Sequence, residues 1–225
     1  MDIDNDGILD LFLCLPHGEL AYYKGTAPGS TDLNPKTSIY TTPGMGKYLP
    51  FYPHDWDGDG LTDILVLEAT FKIFKNTGTL SNPAFDTATP IPVSCIDENG
   101  EEGSWSQSTY GRESFNAADI NRDGLVDLVI VDECFADEEA PGGGSLFTSQ
   151  IDIYYNIGTN EMPAFKYAFN LHNSADTPLG EATRVTLVDI NDDGAIDVIG
   201  SETMTLGDVS EERRWSLVIW KGIPD

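Results

Sequence analysis

Positive charge is what this chain has least of: its 225 residues hold 12 Lys and Arg against 38 Asp and Glu, for a formal net charge of -26. A surface of that sign repels phosphate backbones and anionic headgroups, which argues against nucleic acid or an acidic membrane as partner. There is no apolar run of about eighteen residues, so no transmembrane helix is expected, and no basic-then-apolar leader precedes the first motif. Histidine is scarce, and His17, His54 and His172 stand far apart. Gly-x-Ser-x-Gly, Cys-His and phosphate-cradling glycine patterns are all missing. No catalytic constellation is therefore predicted; a glycosidase-like carboxylate pair stays open, because it depends on separation in space. Cysteine numbers three, an odd count without metal-ligand spacing. Cys14, in an apolar run, is expected to be a buried thiol, and a pairing of Cys95 with Cys134 stays open.

What the chain has in excess is one nine-residue stretch, written four times. It runs Asp2-Ile3-Asp4-Asn5-Asp6-Gly7-Ile8-Leu9-Asp10, then Asp55-Trp56-Asp57-Gly58-Asp59-Gly60-Leu61-Thr62-Asp63. It returns as Asp119-Ile120-Asn121-Arg122-Asp123-Gly124-Leu125-Val126-Asp127 and as Asp189-Ile190-Asn191-Asp192-Asp193-Gly194-Ala195-Ile196-Asp197. Each copy places oxygen-bearing side chains at positions 1, 3, 5 and 9, glycine at 6 and an apolar residue at 7. Three or four carboxylates this close repel one another unless a cation or a set of donors sits among them. Calcium accepts six to eight oxygen ligands in a flexible shell, whereas magnesium demands a strict octahedron and keeps waters. Positions 1, 3, 5 and 9 are accordingly the candidate side-chain ligands. Position 7, occupied by Ile8, Leu61, Leu125 and Ala195, is the candidate carbonyl ligand. Fourteen of the 38 acids occupy these ligand positions, so much of the charge imbalance is itself a prediction of bound cations.

The EF-hand loop begins alike but ends in a bidentate Glu at position 12 between helices. Here position 12 is Leu13, Val66, Ile130 or Gly200, and each loop leads into an apolar run such as Ile64-Leu65-Val66-Leu67 or Leu128-Val129-Ile130-Val131. Runs of this kind read as buried strands. Each loop is thus expected to join two strands.

Four copies of D-x-[DN]-x-D-G-x-x-D, each leading into an apolar strand, resemble the FG-GAP or VCBS repeats that build β-propellers such as the integrin alpha-subunit head. The resemblance runs over nearly the whole chain. It implies an all-β fold in which the loop joins the first two strands of a blade and binds calcium, with up to four Ca2+ in all. Asn121 and Asn191 at position 3 are tolerated by that pattern and lower the ligand charge. It also implies a calcium-binding, non-enzymatic adhesion or protein-interaction module, extracellular or at the cell surface. Its partner would be a protein or glycan on the propeller surface, with no membrane insertion by this segment. The alternative is a carbohydrate-binding or carbohydrate-active propeller, lectin-like or a polysaccharide lyase or hydrolase.

Loop starts lie 53, 64 and 70 residues apart, a blade-like period once insertions are allowed. Repeats are expected at about 1–47, 48–110, 111–180 and 181–225 of a single propeller, the first without its leading strand and the last without its outer one. A closed four-bladed ring would need those strands, so a part of a seven- or eight-bladed ring is expected rather than a complete small one. Middle strands are expected at Leu20–Lys24, Phe71–Lys75, Ile151–Tyr155 and Leu217–Lys221. Loop insertions are expected at about Asp132–Ser149 and Glu202–Arg214, the first with a mobile core at Glu138–Gly144. A second echo, Asn76-Thr77-Gly78 to Pro83-Ala84-Phe85 against Asn156-Ile157-Gly158 to Pro163-Ala164-Phe165, marks the route to the outer strand. Trp105 is the aromatic most open to partner or sugar contact, with inter-blade packing the plainer role. Carboxylate number ranks loops one and two above three and four. Loop two, better anchored than the chain-terminal loop one, ranks first.

Overall fold

The computed structural model describes residues 1–16, 18–42, 49–102, 114–140, 144–171, 185–205 and 213–222, with 132–140, 144–149, 201–205, 213–216 and 218 described by backbone alone. Short β-branched runs between Asp-Gly turns fill strands, and among the described residues the structure contains strands and no helix. The expected all-β class is met.

Strands β1 (Leu11–Leu15), β2 (Glu19–Tyr23) and β3 (Thr37–Thr41) form sheet one. Strands β4 (Phe51–His54), β5 (Asp63–Leu67), β6 (Phe71–Asn76) and β7 (Phe85–Pro92) form a four-stranded meander, sheet two. Next come β8 (Ser94–Ile96), β9 (Ser114–Ala118), β10 (Asp127–Ala140), β11 (Gly144–Asn156) and β12 (Ala164–Leu171). They make sheet three in the order β9-β10-β11-β12-β8. Sheet four is β13 (Val185–Val188), β14 (Asp197–Thr205) and β15 (Arg213–Trp220). All pairings between these neighbours that carry a register are antiparallel. Among the described residues sheets one and four have three strands each.

The chain divides into two compact units, one carrying sheets one and two, the other sheets three and four. In the first, Leu20, Leu49, Ile64, Val66 and Phe74 make a common core against which Phe12, Ile39, Tyr40, Phe51 and Phe85 pack. The Tyr40 hydroxyl donates to Glu68 Oε1 at 2.7 Å. Burial, reinforced by that carboxylate, pushes the phenol up to about 12. In the second unit Ile120, Val129, Val131, Ile151, Ile153, Leu171, Val185 and Val198 form one core. The Asn116 side-chain amide donates to the Val185 carbonyl at 2.6 Å, tying β9 to β13.

Three expectations change. Strand β5 is buried throughout, but β1 is not: Leu11 and Leu13 are exposed, because among the described residues nothing covers that face. In their described parts the two expected loop insertions are instead extensions of the ladder. Pairing between β10 and β11 continues from Leu128↔Tyr154 out to Ala140↔Gly144, with a shift between Phe135 and Glu139. That between β14 and β15 reaches Thr205↔Arg213. Backbone pairing satisfies such a ribbon without apolar burial, so composition alone misreads it as loop. Residues 141–143, at the expected mobile core, and 206–212, within the second expected insertion, lie outside the described residues. Cys14 is only half-buried; its sulfur accepts the Leu49 N–H at 2.9 Å, while burial raises its thiol pKa against the pull of that bond. Cys95 is buried, and the Cys134 side chain lies outside those described.

The Asn-x-Gly echo has a physical cause. Asn76 Oδ1 accepts the N–H groups of Gly78 (3.1 Å) and Ala84 (3.0 Å), and Asn156 Oδ1 accepts those of Gly158 (3.0 Å) and Ala164 (3.2 Å). One buried amide thus closes each turn into the outer strand. A Cβ on Gly78 would lie 2.4 Å from the Asn82 carbonyl oxygen and 2.6 Å from the Ala84 nitrogen. Gly78→Ala is expected to cost about 1–3 kcal/mol, the scale of overpacking. A urea midpoint equal to wild type would show that this turn opens freely.

Candidate metal centre

All four loops share two hydrogen bonds between a carboxylate and the loop backbone. The position-1 carboxylate accepts the glycine N–H at position 6: Gly7 on Asp2 (2.8 Å), Gly60 on Asp55 (2.9 Å), Gly124 on Asp119 (3.0 Å) and Gly194 on Asp189 (2.7 Å). The position-5 carboxylates of Asp6, Asp59, Asp123 and Asp193 accept the N–H of position 7 at 2.8–2.9 Å. These bonds hold the backbone of Ile8, Leu61, Leu125 and Ala195 against the loop. The glycines at position 6 have φ between 82 and 87°. Position 4 is left-handed as well, at Asn5, Gly58, Arg122 and Asp192. Asn, Asp and Gly tolerate that conformation; Arg122 adopts it at a cost.

Position 9 has a role that ligand spacing alone does not show. Asp10, Asp63, Asp127 and Asp197 are buried, and each uses both oxygens as a clamp. Oδ2 accepts the position-2 N–H: Ile3 at 2.9 Å, Trp56 at 3.3 Å, Ile120 at 3.0 Å and Ile190 at 3.0 Å. Oδ1 accepts an N–H at the far end of the sheet's next strand or just beyond it: Gly25 (2.9 Å), Asn76 (2.7 Å), Asn156 (2.8 Å) and Gly222 (2.5 Å). Burial pushes the Asp63 and Asp127 carboxyls up to about 6, against the downward pull of these N–H donors. Like-charge neighbours add to the rise, Asp57 and Asp59 at the first and Asp123 at the second. Position 2 is the second feature missed: Ile3, Trp56 and Ile120 are buried plugs, whereas Ile190 is exposed. The apolar letter repeated at position 2 was the available signal.

The oxygens converge as a hard-cation site requires. Ligand atoms of Asp2, Asp4 and Asp10 lie within 4.8 Å of one another, and so do those of Asp55, Asp57 and Asp63. Asp4 is buried and its Oδ1 has no hydrogen-bond donor. An all-carboxylate donor set with a spare buried oxygen fits calcium. In loops three and four the side-chain amides of Asn121 and Asn191 turn toward position 5, donating to Asp123 Oδ2 (2.9 Å) and Asp193 Oδ2 (2.8 Å). Their Oδ1 atoms accept the N–H of the same residues.

Lysines enter two of the loops, which carboxylate counting left out. Lys24 pairs with Asp4 and reaches Asp6 Oδ2 at 3.4 Å; Lys75 pairs with Asp57 and reaches Asp59 Oδ2 at 3.6 Å. Hydrogen bonding to Asp4 and Asp57 respectively raises both lysine pKa values. His54, beside loop two, packs edge-on against the Trp56 ring at 5.1 Å, and burial lowers its pKa despite Asp55. It closes strand β4, opposite Asp63, rather than standing in a turn. His17, His172 and Trp105 lie outside the described residues.

Residues 2–66 match the family model for an FG-GAP-like repeat, a span that holds loops one and two and the sheet between them. The resemblance drawn from the loops is met there. No curated protein and no solved structure matches the chain.

Proposed function

We propose that the chain is a calcium-stabilised β-propeller segment of the FG-GAP/VCBS kind, serving as a non-enzymatic binding scaffold on an extracellular or cell-surface protein. Calcium here does structural work. It would be held by Asp2, Asp4, Asp6 and Asp10 in loop one and by Asp55, Asp57, Asp59 and Asp63 in loop two, with loops three and four supplying three Asp and one Asn each. Convergence of three carboxylates within 4.8 Å, twice, is the observation that carries this reading. Among the described residues no helix is long and apolar enough to cross a membrane. The surface around the loops, rather than the loops themselves, is where a protein or glycan ligand is expected.

A cation that binds the folded state alone stabilises it by RT ln(1 + [Ca]/Kd) per site, about 2.7 kcal/mol at a hundredfold excess over Kd. Melting temperature is therefore expected to rise with calcium, to fall in chelator, and to recover poorly in equal magnesium. Identical melts in chelator and in millimolar calcium would overturn the proposal.

A further inference from the structure

The geometry points to Lys24 and Lys75 as built-in counter-ions that hold the position-3 and position-5 carboxylates of loops one and two and must release them before a divalent ion can take them as ligands. This rests on reading the loops as cation sites. Equivalence between the loops is fixed by the position-9 clamp, not by sequence spacing. Its Oδ1 accepts the N–H of Gly25, Asn76, Asn156 and Gly222, so the residue just before each is structurally the same position. That residue is Lys24, Lys75, Tyr155 and Lys221. In loops one and two its ammonium pairs with the position-3 carboxylate and reaches the one at position 5, and position 3 is also one of the three carboxylates that converge in each loop. Asp4 Oδ1 stays buried and unpartnered beside Lys24, so the ammonium leaves ligand capacity unused. A lysine has three donors in one compact head and cannot fill a shell of six to eight oxygens.

Such a counter-ion acts in two ways. Without metal, the lysine relieves carboxylate repulsion and holds the loop in its folded form. With metal, its charge and its place both oppose entry, so carboxylate number overstates the affinity of loops one and two. Once the lysine is counted, the ligand side chains of loops one and two each carry three net negative charges, the number that the three Asp of loop three carry beside Tyr155, while Arg122 at position 4 of loop three reaches Asp193 of loop four at 3.8 Å. Loop three takes a cation without displacing one.

The position-6 glycine amides give each loop its own reporter, since Gly7, Gly60, Gly124 and Gly194 all donate to the position-1 carboxylate. Calcium titration of the 225-residue chain, followed by these four amide resonances, is compared among wild type, Lys75→Met and Lys24→Met. Lys75→Met is expected to lower the calcium midpoint at Gly60 by about tenfold, the scale of removing one charge some 4 Å from a divalent ion in a hydrated site. It should leave Gly124 unchanged and lower the melting temperature in chelator. Lys24→Met should do the same at Gly7 alone. If Gly60 and Gly7 titrate in wild type with midpoints that neither substitution moves, the lysines are bystanders and the inference fails while the cation reading stands. If no glycine amide moves at millimolar calcium in any of the three proteins, the cation reading itself fails.

Discussion

Asp127→Ala is expected to destabilise the protein by about 3–5 kcal/mol, and to do so in chelator as well as in calcium. The Asp127 side chain is wholly buried and accepts three backbone N–H groups, from Ile120 (3.0 Å), Asn121 (3.3 Å) and Asn156 (2.8 Å). Alanine would leave those donors without an acceptor, at about 1–3 kcal/mol for each one kept from water. Part of that loss is offset, because an ionised carboxylate no longer has to be buried. Asp127→Asn keeps one acceptor oxygen but turns an NH2 toward a donor, so it is expected to cost about half as much. Linkage supplies a further check. The folded pKa of about 6 lies above the ordinary value of 3.8, so between these the folded state holds protons that the unfolded chain has released. Without divalent cations, stability is therefore expected to fall as pH rises from about 4 to about 6. Asp127→Ala should flatten part of that slope, leaving the share due to Asp63. Urea unfolding across that pH range, in chelator, measures both effects. A loss seen only with calcium would mean that Asp127 is a ligand and nothing more.

That clamp marks where sequence reasoning stopped. Positions 1, 3, 5, 6 and 9 were legible because charge repulsion and glycine conformation are local, and the four copies sit ahead of apolar strands as expected. The clamp's second partner was not. It lies 15, 13, 29 or 25 residues beyond the position-9 Asp, on Gly25, Asn76, Asn156 or Gly222, and the bond goes to a backbone N–H that any residue but proline could offer. Glycine appears at two of these points because the loop comes close: a Cβ on Gly25 would meet Leu9 O at 2.5 Å, and one on Gly222 would meet Ala195 Cβ at 2.2 Å. The residue before the clamped one was visible as the end of each expected middle strand, a lysine in three repeats and Tyr155 in the other, but the return of Lys24 and Lys75 to their loops needed the register of β2 and β6. The long ribbons of sheets three and four were misread for the opposite reason: acidic, glycine-rich composition signals loop, and backbone pairing overrides it.

Position 2 supplies the other large effect, since one motif position takes opposite environments in two loops. Trp56 is 2 % exposed and Ile190 is 52 % exposed. Both donate their N–H to the position-9 carboxylate, so the backbone role is shared and only the side chain differs. Trp56→Ala is expected to cost about 3–5 kcal/mol, the transfer of a large buried aromatic plus the cavity left behind. Its T-shaped contact with His54 at 5.1 Å is lost as well. Ile190→Ala, removing a side chain that water already reaches, is expected to stay within about 0.5 kcal/mol. Ile120, buried in the second unit's core, should fall between them at about 2–4 kcal/mol. Urea unfolding of the three variants at saturating calcium, and again in chelator, tests the ranking without relying on metal. Equal losses for Trp56→Ala and Ile190→Ala would mean that position 2 matters through the loop's own conformation. The ranking Trp56, Ile120, Ile190 would mean that each loop is pinned to its sheet by the side chain it buries, with the clamp common to all.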